Sequence, residues 1–378
     1  MIPQETIDKI FETVQIQEVV SDFVELKKAG ANYKGRCPFH NEKTPSFVVS
    51  PTKGIYKCFG CGKGGNSIMF LQELQSITYP EALRYVAEKY NIEIIEEKLT
   101  AEEETKQSEK ESLFIATKFA SNYFQDILWN TEEGKLVGLS YFKERGFSEE
   151  IIKKFKLGYS PKKQNSFEDS ALKAGYDKKV LISSSLIGEN SQGKTYDKFR
   201  DRVIFPIHSY SGKEVGFGAR AFNAEAKAKY LNSGESLIYD KSKVLYGLYA
   251  SKQAISKSNK CYVVEGYTDV ISMHQNGIEN VISASGTALS IYQIQLIKRS
   301  TNNIVLLFDR DQAGEKAVIR SINLCLKVEM NVKVVSFPEG EDPDSYSKKL
   351  TTKSFQEYLD KSAVNFVDYL IWTYKLKE

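Results

Sequence analysis

Cysteine is scarce in this chain, and long apolar runs are missing from it. Only five of its 378 residues are cysteine. Two of them, Cys261 and Cys325, lie in apolar runs, where a buried thiol is expected rather than a disulfide. No run of about 18 apolar residues occurs, so we expect no membrane-spanning helix. The N-terminal MIPQETIDKIFETV carries acids and lacks the apolar core of a signal peptide. We therefore expect a protein of a reducing cytoplasm without a membrane partner.

The composition is that of a globular protein. Hydrophobic residues make up 41% of the chain and charged residues 27%, which are ordinary values for a folded protein. The length allows two or three domains. The net charge of +3 excludes no class of partner, so the distribution of charge along the chain is more informative than its sum.

The remaining three cysteines belong to one motif. Cys37 and His40 stand in CPFH, and Cys58 and Cys61 stand in CFGC, with seventeen residues between the two pairs. Two short chelating pairs on either side of a hairpin-sized spacer predict a tetrahedral zinc site. With four protein ligands the site would be closed, so we expect one structural Zn²⁺ on which a small domain depends for folding.

Basic and aromatic residues surround this motif. Between residues 27 and 63 there are eight lysines or arginines and one acid, Glu42. The aromatic residues interleaved with them are Tyr33, Phe39, Phe47, Tyr56 and Phe59. One interpretation is a solvated lysine-rich surface over a small aromatic core. The other, which the charge excess favours, is a platform that binds phosphates and stacks on the bases of a single strand.

Acidic residues follow three apolar runs in the C-terminal part of the sequence. Glu265 ends the run CYVVE, Asp309 and Asp311 end the run NIVLLFDRD, and EDPD follows at 341–344. Residues i and i+2 of an extended chain point the same way, so Asp309 and Asp311 can converge. Clustered carboxylates suit Mg²⁺ or Mn²⁺. The alternative is helix caps and surface ion pairs, but three such segments after strands favour a catalytic metal site.

The chain divides into regions of different character. Short helices, a β-hairpin and two more helices predict a small first domain that closes near residue 95. The charged segment 96–112 is either an exposed helix start or a tether, and we interpret it as a linker. A mixed region follows, in which residues 194–252 hold eleven lysines or arginines and six acids. Strands and helices then alternate over 260–337, which predicts a mostly parallel sheet. The tail, 351–378, is helical and apolar.

The sequence resembles the bacterial replicative DNA primases from residue 1 to about 345. CPFHNEKTPSFVV and YKCFGCGKGG resemble the zinc-binding domain of that family. VVEGYTDV, FDRDQAG and EGEDPDS resemble its toprim module. Between them, YDKFRDRVIFPI, GFGAR, KYLNS and LYGLY resemble the first part of its polymerase domain. The motifs occur in the family's order, which makes the resemblance specific.

The resemblance implies a fold of mixed α+β class with several domains. A zinc ribbon would recognise DNA, and a mixed α/β polymerase core would contain the toprim module. The implied bounds are zinc-binding domain 1–95, linker 96–112, basic subdomain 113–255, toprim subdomain 256–345 and the start of a helical subdomain 346–378.

The resemblance also implies a function and its residues. Two Mg²⁺ or Mn²⁺ ions would serve the synthesis of RNA primers from ribonucleoside triphosphates on a single-stranded DNA template. The implied catalytic residues are Glu265, Asp309 and Asp311, with Asp269, Asp342 and Asp344 as further metal ligands. The implied residues of a basic groove for template, primer and nucleotide are Arg145, Arg200, Arg202, Arg220, Lys229 and Lys241. Glu265 is the best candidate for a general base, because His208 and His274 lie in no motif.

Two other functions fit parts of the pattern. Toprim motifs also occur in strand-breaking enzymes of the topoisomerase and nuclease type, and a zinc module could serve a non-enzymatic single-stranded DNA-binding protein. Clustered acids argue against a pure binder, because carboxylates repel phosphate unless metals intervene. The family normally continues into a helicase-binding domain that this sequence lacks, so either the sequence is a fragment, or helicase coupling is missing or supplied elsewhere. We therefore expect a replicative helicase as a partner of the family but not its direct binding by this chain.

Overall fold

The structure is a computed structural model that describes residues 2–75, 77–94, 101–222, 228–285, 289–308 and 312–375. The chain forms two compact units, Met1–Thr105 and Lys106–Glu378. The division falls within the segment 96–112 that the sequence analysis interprets as a linker. Residues 101–112 are helical, since they begin a long helix at Ala101, and residues 95–100 lie outside the described part of the chain.

The first unit is a small antiparallel sheet flanked by helices. Its five strands pair in sequence order. The aromatic rings of Phe47, Tyr56 and Phe70 pack together in the core, with centroids 5.1 Å apart for Phe47 and Tyr56 and 5.4 Å apart for Tyr56 and Phe70. The elements are α1 Gln4–Thr13, α2 Ile16–Ser21, β1 Lys27–Ala29, β2 Asn32–Gly35, β3 Phe47–Ser50, β4 Ile55–Cys58, β5 Gly64–Gly65, α3 Ser67–Gln75 and α4 Tyr79–Lys89.

The second unit begins with a helical layer and an antiparallel sheet. The sheet has the strand order β11-β10-β9-β6, and β7 and β8 form a separate hairpin. Its longest strands, β9 and β10, are buried along most of their length. The elements are α5 Ala101–Asn130, a π-helix Gly134–Leu139, α6 Ser140–Glu144, α7 Glu149–Lys154, β6 Gly158–Ser160, α8 Ser166–Lys173, α9 Lys178–Ser183, β7 Ile187–Glu189, β8 Thr195–Asp197, β9 Arg202–His208, β10 Glu214–Ala221, β11 Tyr230–Asn232 and a 3₁₀-helix Lys241–Lys243.

Strands and helices alternate in the rest of the second unit. The sheet order is β13-β12-β14-β15-β16, and the first four strands are parallel to one another while β16 is antiparallel. This confirms the predicted α/β class and the mostly parallel sheet. The elements are α10 Leu248–Ser258, β12 Cys261–Val264, α11 Tyr267–Gln275, β13 Val281–Ser283, α12 Ile291–Lys298, β14 Asn303–Leu306, α13 Gln312–Lys327, β15 Asn331–Val334, α14 Pro343–Lys349, α15 Thr352–Ser362, β16 Val364–Asn365 and α16 Phe366–Lys375.

Apolar residues cover both faces of this parallel sheet. Cys261, Val263 and Leu306 face one buried cluster, which also receives side chains from α10, α12 and α13. Tyr262 and Val264 face another cluster, which they share with α11 and the antiparallel sheet. A parallel sheet needs cover on both faces, and its central strands β12 and β14 are accordingly apolar over most of their length, whereas β15 exposes Asn331 and Lys333. Among the described residues, no helix combines the length and the apolar character that a membrane crossing requires.

His274 on α11 is a buried histidine with one hydrogen-bond partner. Ser251 Oγ–H donates to the carbonyl oxygen of Val281 at 2.7 Å, so Ser251 Oγ accepts from His274 Nε2–H at 2.9 Å. Within the described residues, His274 Nδ1 has no partner. Burial, together with the charge of Lys154, lowers the pKa of His274 from 6.5 to about 3, because the protonated ring would lose its hydration. His274 is therefore a neutral structural residue.

Lowering the pH from about 7.5 to about 5.5 should destabilise the second unit through His274. A histidine with a depressed folded pKa loses its contribution as the pH falls below its unfolded pKa of 6.5, down to its folded pKa of about 3. The expected loss at pH 5.5 is about 1.4 kcal/mol. Denaturant unfolding followed by tryptophan fluorescence measures it, because both tryptophans, Trp129 and Trp372, belong to this unit. The variant His274→Gln should lose most of this pH dependence, and an unchanged dependence would contradict the assignment.

Candidate functional site

The four predicted zinc ligands converge in the first unit. Cys37 and His40 lie in the loop after β2, Cys58 ends β4, and Cys61 lies in the turn that follows. Their ligand atoms all lie within 4.8 Å of one another. The Sγ atoms of Cys37 and Cys61 are 3.8 Å apart, and two thiolates about 2.3 Å from one tetrahedral zinc are separated by about 3.8 Å. The donor set and its spacing therefore fit a closed Cys₃His zinc site.

Backbone amides, and a glycine at position 60, allow the ligands of this site to converge. The amides of Gly60 and Cys61 donate to Cys58 Sγ at 3.3 and 3.4 Å, and the amide of Phe39 donates to Cys37 Sγ at 3.4 Å. Such donors stabilise thiolates. A Cβ at Gly60 would lie 2.7 Å from His40 Nε2, so the turn needs glycine to approach the imidazole.

Glu42 orients the histidine ligand from outside the ligand set. Its Oε2 lies 3.3 Å from His40 Nε2, which leaves Nδ1, 3.9 Å from Cys58 Sγ, to face the metal. Glu42 Oε1 also accepts from the amides of Cys37 and Ser46, at 2.7 and 3.0 Å. The hydrogen bond from the Ser46 hydroxyl, with these amides, lowers the pKa of Glu42 to about 2. Its ionised carboxylate can therefore hold the tautomer that zinc needs.

The aromatic residues around the zinc site divide into core and surface. Phe47 and Tyr56 are buried, with 0% and 1% exposure, while Phe59 is 74% exposed. Phe59 lies in the CFGC turn between Lys57 and Lys63 in sequence. Of the five aromatic residues expected to form a stacking platform, Phe59 is the one whose side chain is mostly open to solvent.

The carboxyl end of β12 carries the acidic motif of the second unit. Glu265 is half-buried directly after the strand, and Ser283 Oγ at the end of β13 donates to its backbone oxygen at 2.7 Å. Asp269 lies in the first turn of α11, where its Oδ2 accepts from the amide of Gly266 at 2.9 Å. Asp309 and Asp311 lie outside the described residues. The strand that leads to them, β14, is parallel to β12 and adjacent to it, so both strands point towards the same edge.

Asp342 and Asp344 are already engaged by protein groups. Asp342 caps α14, accepting from the Ser345 amide at 2.6 Å. Asp344 is buried, and its Oδ2 accepts from Arg145 Nη1 at 3.1 Å. Its Oδ1 lies 2.6 Å from Lys348 Nζ and accepts from the Ser272 hydroxyl. The structure thus places Asp344 in an ion-pair network with Arg145, which the sequence analysis assigns to the basic groove.

Tyr267 connects the acidic edge to the antiparallel sheet. Its buried ring stacks on Phe205 with centroids 5.1 Å apart. A Cβ at Gly218 would lie 2.4 Å from this ring, so the ring lies directly on the backbone of β10. Tyr267 Oη–H donates to Asn232 Oδ1 on β11 at 2.6 Å. The segment after Glu265 is therefore fixed against β10 and β11.

Arg220, at the end of β10, is the most unusual of the predicted basic residues. Its guanidinium lies 5.1 Å from the ring centroid of Tyr141 and 5.7 Å from that of Tyr230. Its Nε and Nη1 atoms are buried, and no hydrogen-bond partner for them occurs in the described part of the chain. A buried cation without acceptors is costly unless a ligand supplies them. This arrangement suits an anion such as a phosphate.

Other predicted groove residues lie near Arg220 to different extents. Arg202 is at the same end of the sheet, since it pairs with Ala221, and its Nη1 donates to the backbone oxygen of Lys229 at 3.4 Å. Arg145 lies 5.8 Å from the Tyr141 ring, so it shares that ring with Arg220. Arg200 is exposed two residues before β9, and Lys241 begins the 3₁₀-helix.

Sequence reasoning missed several residues of these sites. Tyr230, Asn232 and Tyr267 stand inside the quoted motifs KYLNS and VVEGYTDV, but no role was assigned to them. Glu42 was counted only as an isolated acid. Its position two residues after His40 and among eight cations is the sequence feature that could have indicated its role at the zinc site. For Tyr141 the sequence offers none, because it contacts Arg220 only through the tertiary fold.

Family models match three consecutive parts of the chain. A CHC2 zinc finger covers residues 2–102, the N-terminal domain of the DNA primase catalytic core covers residues 123–252, and a Toprim-like domain covers residues 262–347. The crystal structure of the Aquifex aeolicus primase, with its zinc-binding and RNA polymerase domains, is similar at a TM-score of 0.64 and 32% identity, over 98% of this chain and 88% of that one. The chain belongs to the DNA primase family.

Other primases match most of this chain. The DNA primase of Halalkalibacterium halodurans is 42% identical over 358 residues, which are 94% of this chain and 59% of that protein. A DnaG primase catalytic domain solved bound to single-stranded DNA is similar at a TM-score of 0.64 and 29% identity, over 71% of this chain and 83% of that one. The chain spans about three fifths of the length of the curated primases it matches.

Replacing Cys37 with serine should release one equivalent of zinc and unfold the first unit. The reason is that a closed zinc site supplies much of the folding free energy of a small domain. Zinc content measured by atomic emission, together with circular dichroism, checks the outcome. The tryptophan-monitored transition of the second unit should persist. Cys325→Ala is the matched control, because Cys325 is no zinc ligand, and it should retain full zinc. Full zinc in Cys37→Ser would contradict the ligand set.

Proposed function

We propose that the chain synthesises short RNA primers on a single-stranded DNA template for DNA replication, in the bacterial cytoplasm. The observation that carries this proposal is the guanidinium of Arg220, whose buried Nε and Nη1 have no hydrogen-bond partner among the described residues, close in the fold to the acidic edge at Glu265. Arg220 pairs with Tyr230 across β10 and β11. Asn232, two residues further on β11, binds Tyr267, two residues beyond Glu265. Tyr267 thus links the acidic edge, which follows β12, to the strand pair β10–β11 that carries Arg220.

The proposed chemistry is nucleotidyl transfer. The 3′-hydroxyl oxygen of the primer attacks the α-phosphate of a ribonucleoside triphosphate, a new phosphodiester bond forms, and pyrophosphate leaves. Glu265 is the proposed acceptor of the hydroxyl proton. Glu265, Asp269, Asp309 and Asp311 are the proposed metal-binding carboxylates. When bound there, Mg²⁺ or Mn²⁺ would supply charge stabilisation for the attacking and leaving oxygens.

Asp342 and Asp344 are proposed to act differently from the other acids. Asp342 is engaged as a helix cap, and Asp344 holds Arg145 and Lys348. In this arrangement they position α14 and Arg145, and a metal would have to displace these partners to reach either carboxylate. Arg145, Arg200, Arg202, Arg220, Lys229 and Lys241 remain the proposed contacts to phosphates of template, primer and nucleotide.

The first unit is proposed to read the template. Its zinc site is closed by four protein ligands, so its role is structural. The exposed ring of Phe59 offers a stacking surface for a base, and the neighbouring lysines offer contacts to phosphates. The single-stranded DNA in the related DnaG structure supports a single-stranded DNA partner. Ribonucleoside triphosphates are proposed substrates, and a replicative helicase is a proposed partner of the longer family members.

Two rival functions make different predictions about products. A strand-breaking toprim enzyme would relax or cleave DNA and would need no nucleotide. A non-enzymatic binder would show no divalent cation dependence at Glu265. Arg220 favours synthesis over both, because its Nε and Nη1, which lack a partner in the described part of the chain, offer a further phosphate site on strands that Tyr267 joins to the acidic edge.

Replacing Glu265 with glutamine should reduce ribonucleotide joining by at least about 100-fold, because it removes a carboxylate charge from the proposed metal site. Binding of single-stranded DNA should change little. Extension of labelled ribonucleotides on a single-stranded template measures the first effect, and fluorescence anisotropy measures the second. Asp309→Asn should behave in the same way. Glu357→Gln, which removes an exposed acid on α15, is the control and should remain active. Full activity of Glu265→Gln would refute its assigned role.

Replacing Phe59 with alanine should weaken binding of single-stranded DNA by about 5- to 150-fold, since stacking of one base on one ring contributes about 1–3 kcal/mol. Zinc content and the fold should be retained, because Phe59 is exposed. Titration of the full chain with a labelled template checks the effect. Ile55→Ala, on the adjoining strand and 42% exposed, is a control for loss of an exposed apolar side chain. Equal binding by wild type and Phe59→Ala would remove Phe59 from the template reader.

A further inference from the structure

A second basic surface lies at the other end of the antiparallel sheet from Arg220. It consists of Tyr210 and Lys213 in the turn between β9 and β10, Tyr249 and Lys252 on α10, and Arg299 at the end of α12. We call these five residues the hairpin-turn surface. Apart from Tyr249, which ends LYGLY, none of them belongs to the motifs that identify the family, and none has a role in the proposed chemistry.

Cations and aromatic rings alternate on this surface. Lys252 Nζ lies 5.2 Å from the ring centroid of Tyr210 and 4.7 Å from that of Tyr249, and the Arg299 guanidinium lies 5.4 Å from the Tyr210 ring. A Cβ at Gly212 would lie 2.5 Å from Tyr249, so this ring lies on the turn itself. Cation–π contacts restrict the long cationic side chains before any ligand arrives, which lowers the entropy lost on binding.

The hairpin-turn surface contains no acidic residue. The three segments that form it, 208–213, 248–258 and 291–299, hold five lysines or arginines and no aspartate or glutamate. The next acid along the chain, Glu214, is buried and binds Lys118 and Lys156, at 3.1 and 2.7 Å. Within the described residues, no salt bridge involves Lys213, Lys252 or Arg299. Burial without an acidic partner also lowers the pKa of Lys252.

In the described part of the chain, Lys252 Nζ donates only to the backbone oxygen of Tyr210, at 3.3 Å, which leaves its charge without an acidic partner. Cations on segments without acids create a positive potential that attracts an anionic polymer. Several exposed lysines elsewhere in the second unit form ion pairs instead, as Lys143 with Glu149 and Lys154 with Glu279 do. A small anion would need convergent donors in a pocket, whereas these cations spread over three elements. Their arrangement suits successive phosphates of one strand.

The length of β9 sets the distance between the two basic regions. Arg202 and Arg220 lie at one end of the β9–β10 pair, and His208 with the turn lies at the other. Seven residues of strand at about 3.3 Å each separate them by about 20 Å. A strand with a stacked rise of about 3.4 Å per nucleotide covers that distance in about six nucleotides.

We propose that the hairpin-turn surface binds the phosphate backbone of single-stranded nucleic acid that extends beyond the Arg220 region, with Lys213, Lys252 and Arg299 as the contacting cations. The proposal deepens the proposed function and rests on it for the identity of the polymer. One strand would then contact the protein at two places, the Arg220 region and the hairpin-turn surface, which are about six nucleotides apart.

The test compares strands that can and cannot reach the surface. Lys252→Gln/Arg299→Gln is titrated with oligodeoxynucleotides of about 4 nucleotides, too short to span the distance from the Arg220 region, and of about 18 nucleotides over a range of salt concentrations. Each lost phosphate contact lowers the slope of log K against log salt by about 0.7, so the slope for the long strand should fall by about 1.4. The slope for the short strand should not change. Lys173→Gln/Lys361→Gln removes two exposed lysines elsewhere in the second unit and should leave both slopes unchanged.

An unchanged slope for the long strand, or equal losses for both strands, would overturn the proposal. Tryptophan fluorescence verifies folding of each variant, and Lys213→Gln/Arg299→Gln, with both changes at exposed positions, repeats the test if the first pair unfolds. The wild-type chain is assayed in parallel for ribonucleotide joining. Failure of the surface leaves joining intact with unchanged slopes, whereas failure of the proposed function shows as no joining by the wild type, whatever the slopes are.

Discussion

The contact of Tyr267 with the backbone at Gly218 is the constraint on which the second unit depends. It places a buried ring between the parallel sheet and the antiparallel sheet, and only a residue without a side chain leaves room for it. The hydrogen bond to Asn232 fixes the same ring to β11. Because Tyr267 follows Glu265 by two residues, this contact brings the acidic edge to the strands that carry Arg220. The candidate site is therefore a consequence of how two sheets pack.

The zinc site of the first unit and the metal site proposed for the second unit use different ligand types for different roles. In the first unit, three thiols and one imidazole converge with a carboxylate, Glu42, behind the histidine, which suits a permanent zinc ion with a structural role. In the second unit, Glu265 follows a parallel strand and Asp269 lies in the helical turn after it, and hard oxygen ligands suit ions that exchange with substrate. The chain thus separates the metal that maintains a small domain from the metals proposed to take part in chemistry.

The sequence predicted the zinc ligands, the fold class and the parallel sheet because each rests on local spacing. Cys37, His40, Cys58 and Cys61 form two short pairs, and the strands after residue 260 are continuous apolar runs. It could not predict that Asp344 binds Arg145, 199 residues away in sequence, or that Tyr141 packs on Arg220. Such contacts depend on tertiary packing and leave no periodic pattern. The sequence also could not predict which aromatic residues near the zinc site are buried and which are exposed. The structure shows that Phe59 is exposed.

The most direct test of the central claim is template-directed ribonucleotide incorporation. The full chain is incubated with single-stranded DNA of defined sequence, labelled ribonucleoside triphosphates and Mg²⁺, and the products are sequenced. The account predicts short RNA products complementary to the template, which require Mg²⁺ and are absent without DNA. Cleaved or relaxed DNA without RNA synthesis, or binding without any product, would contradict it.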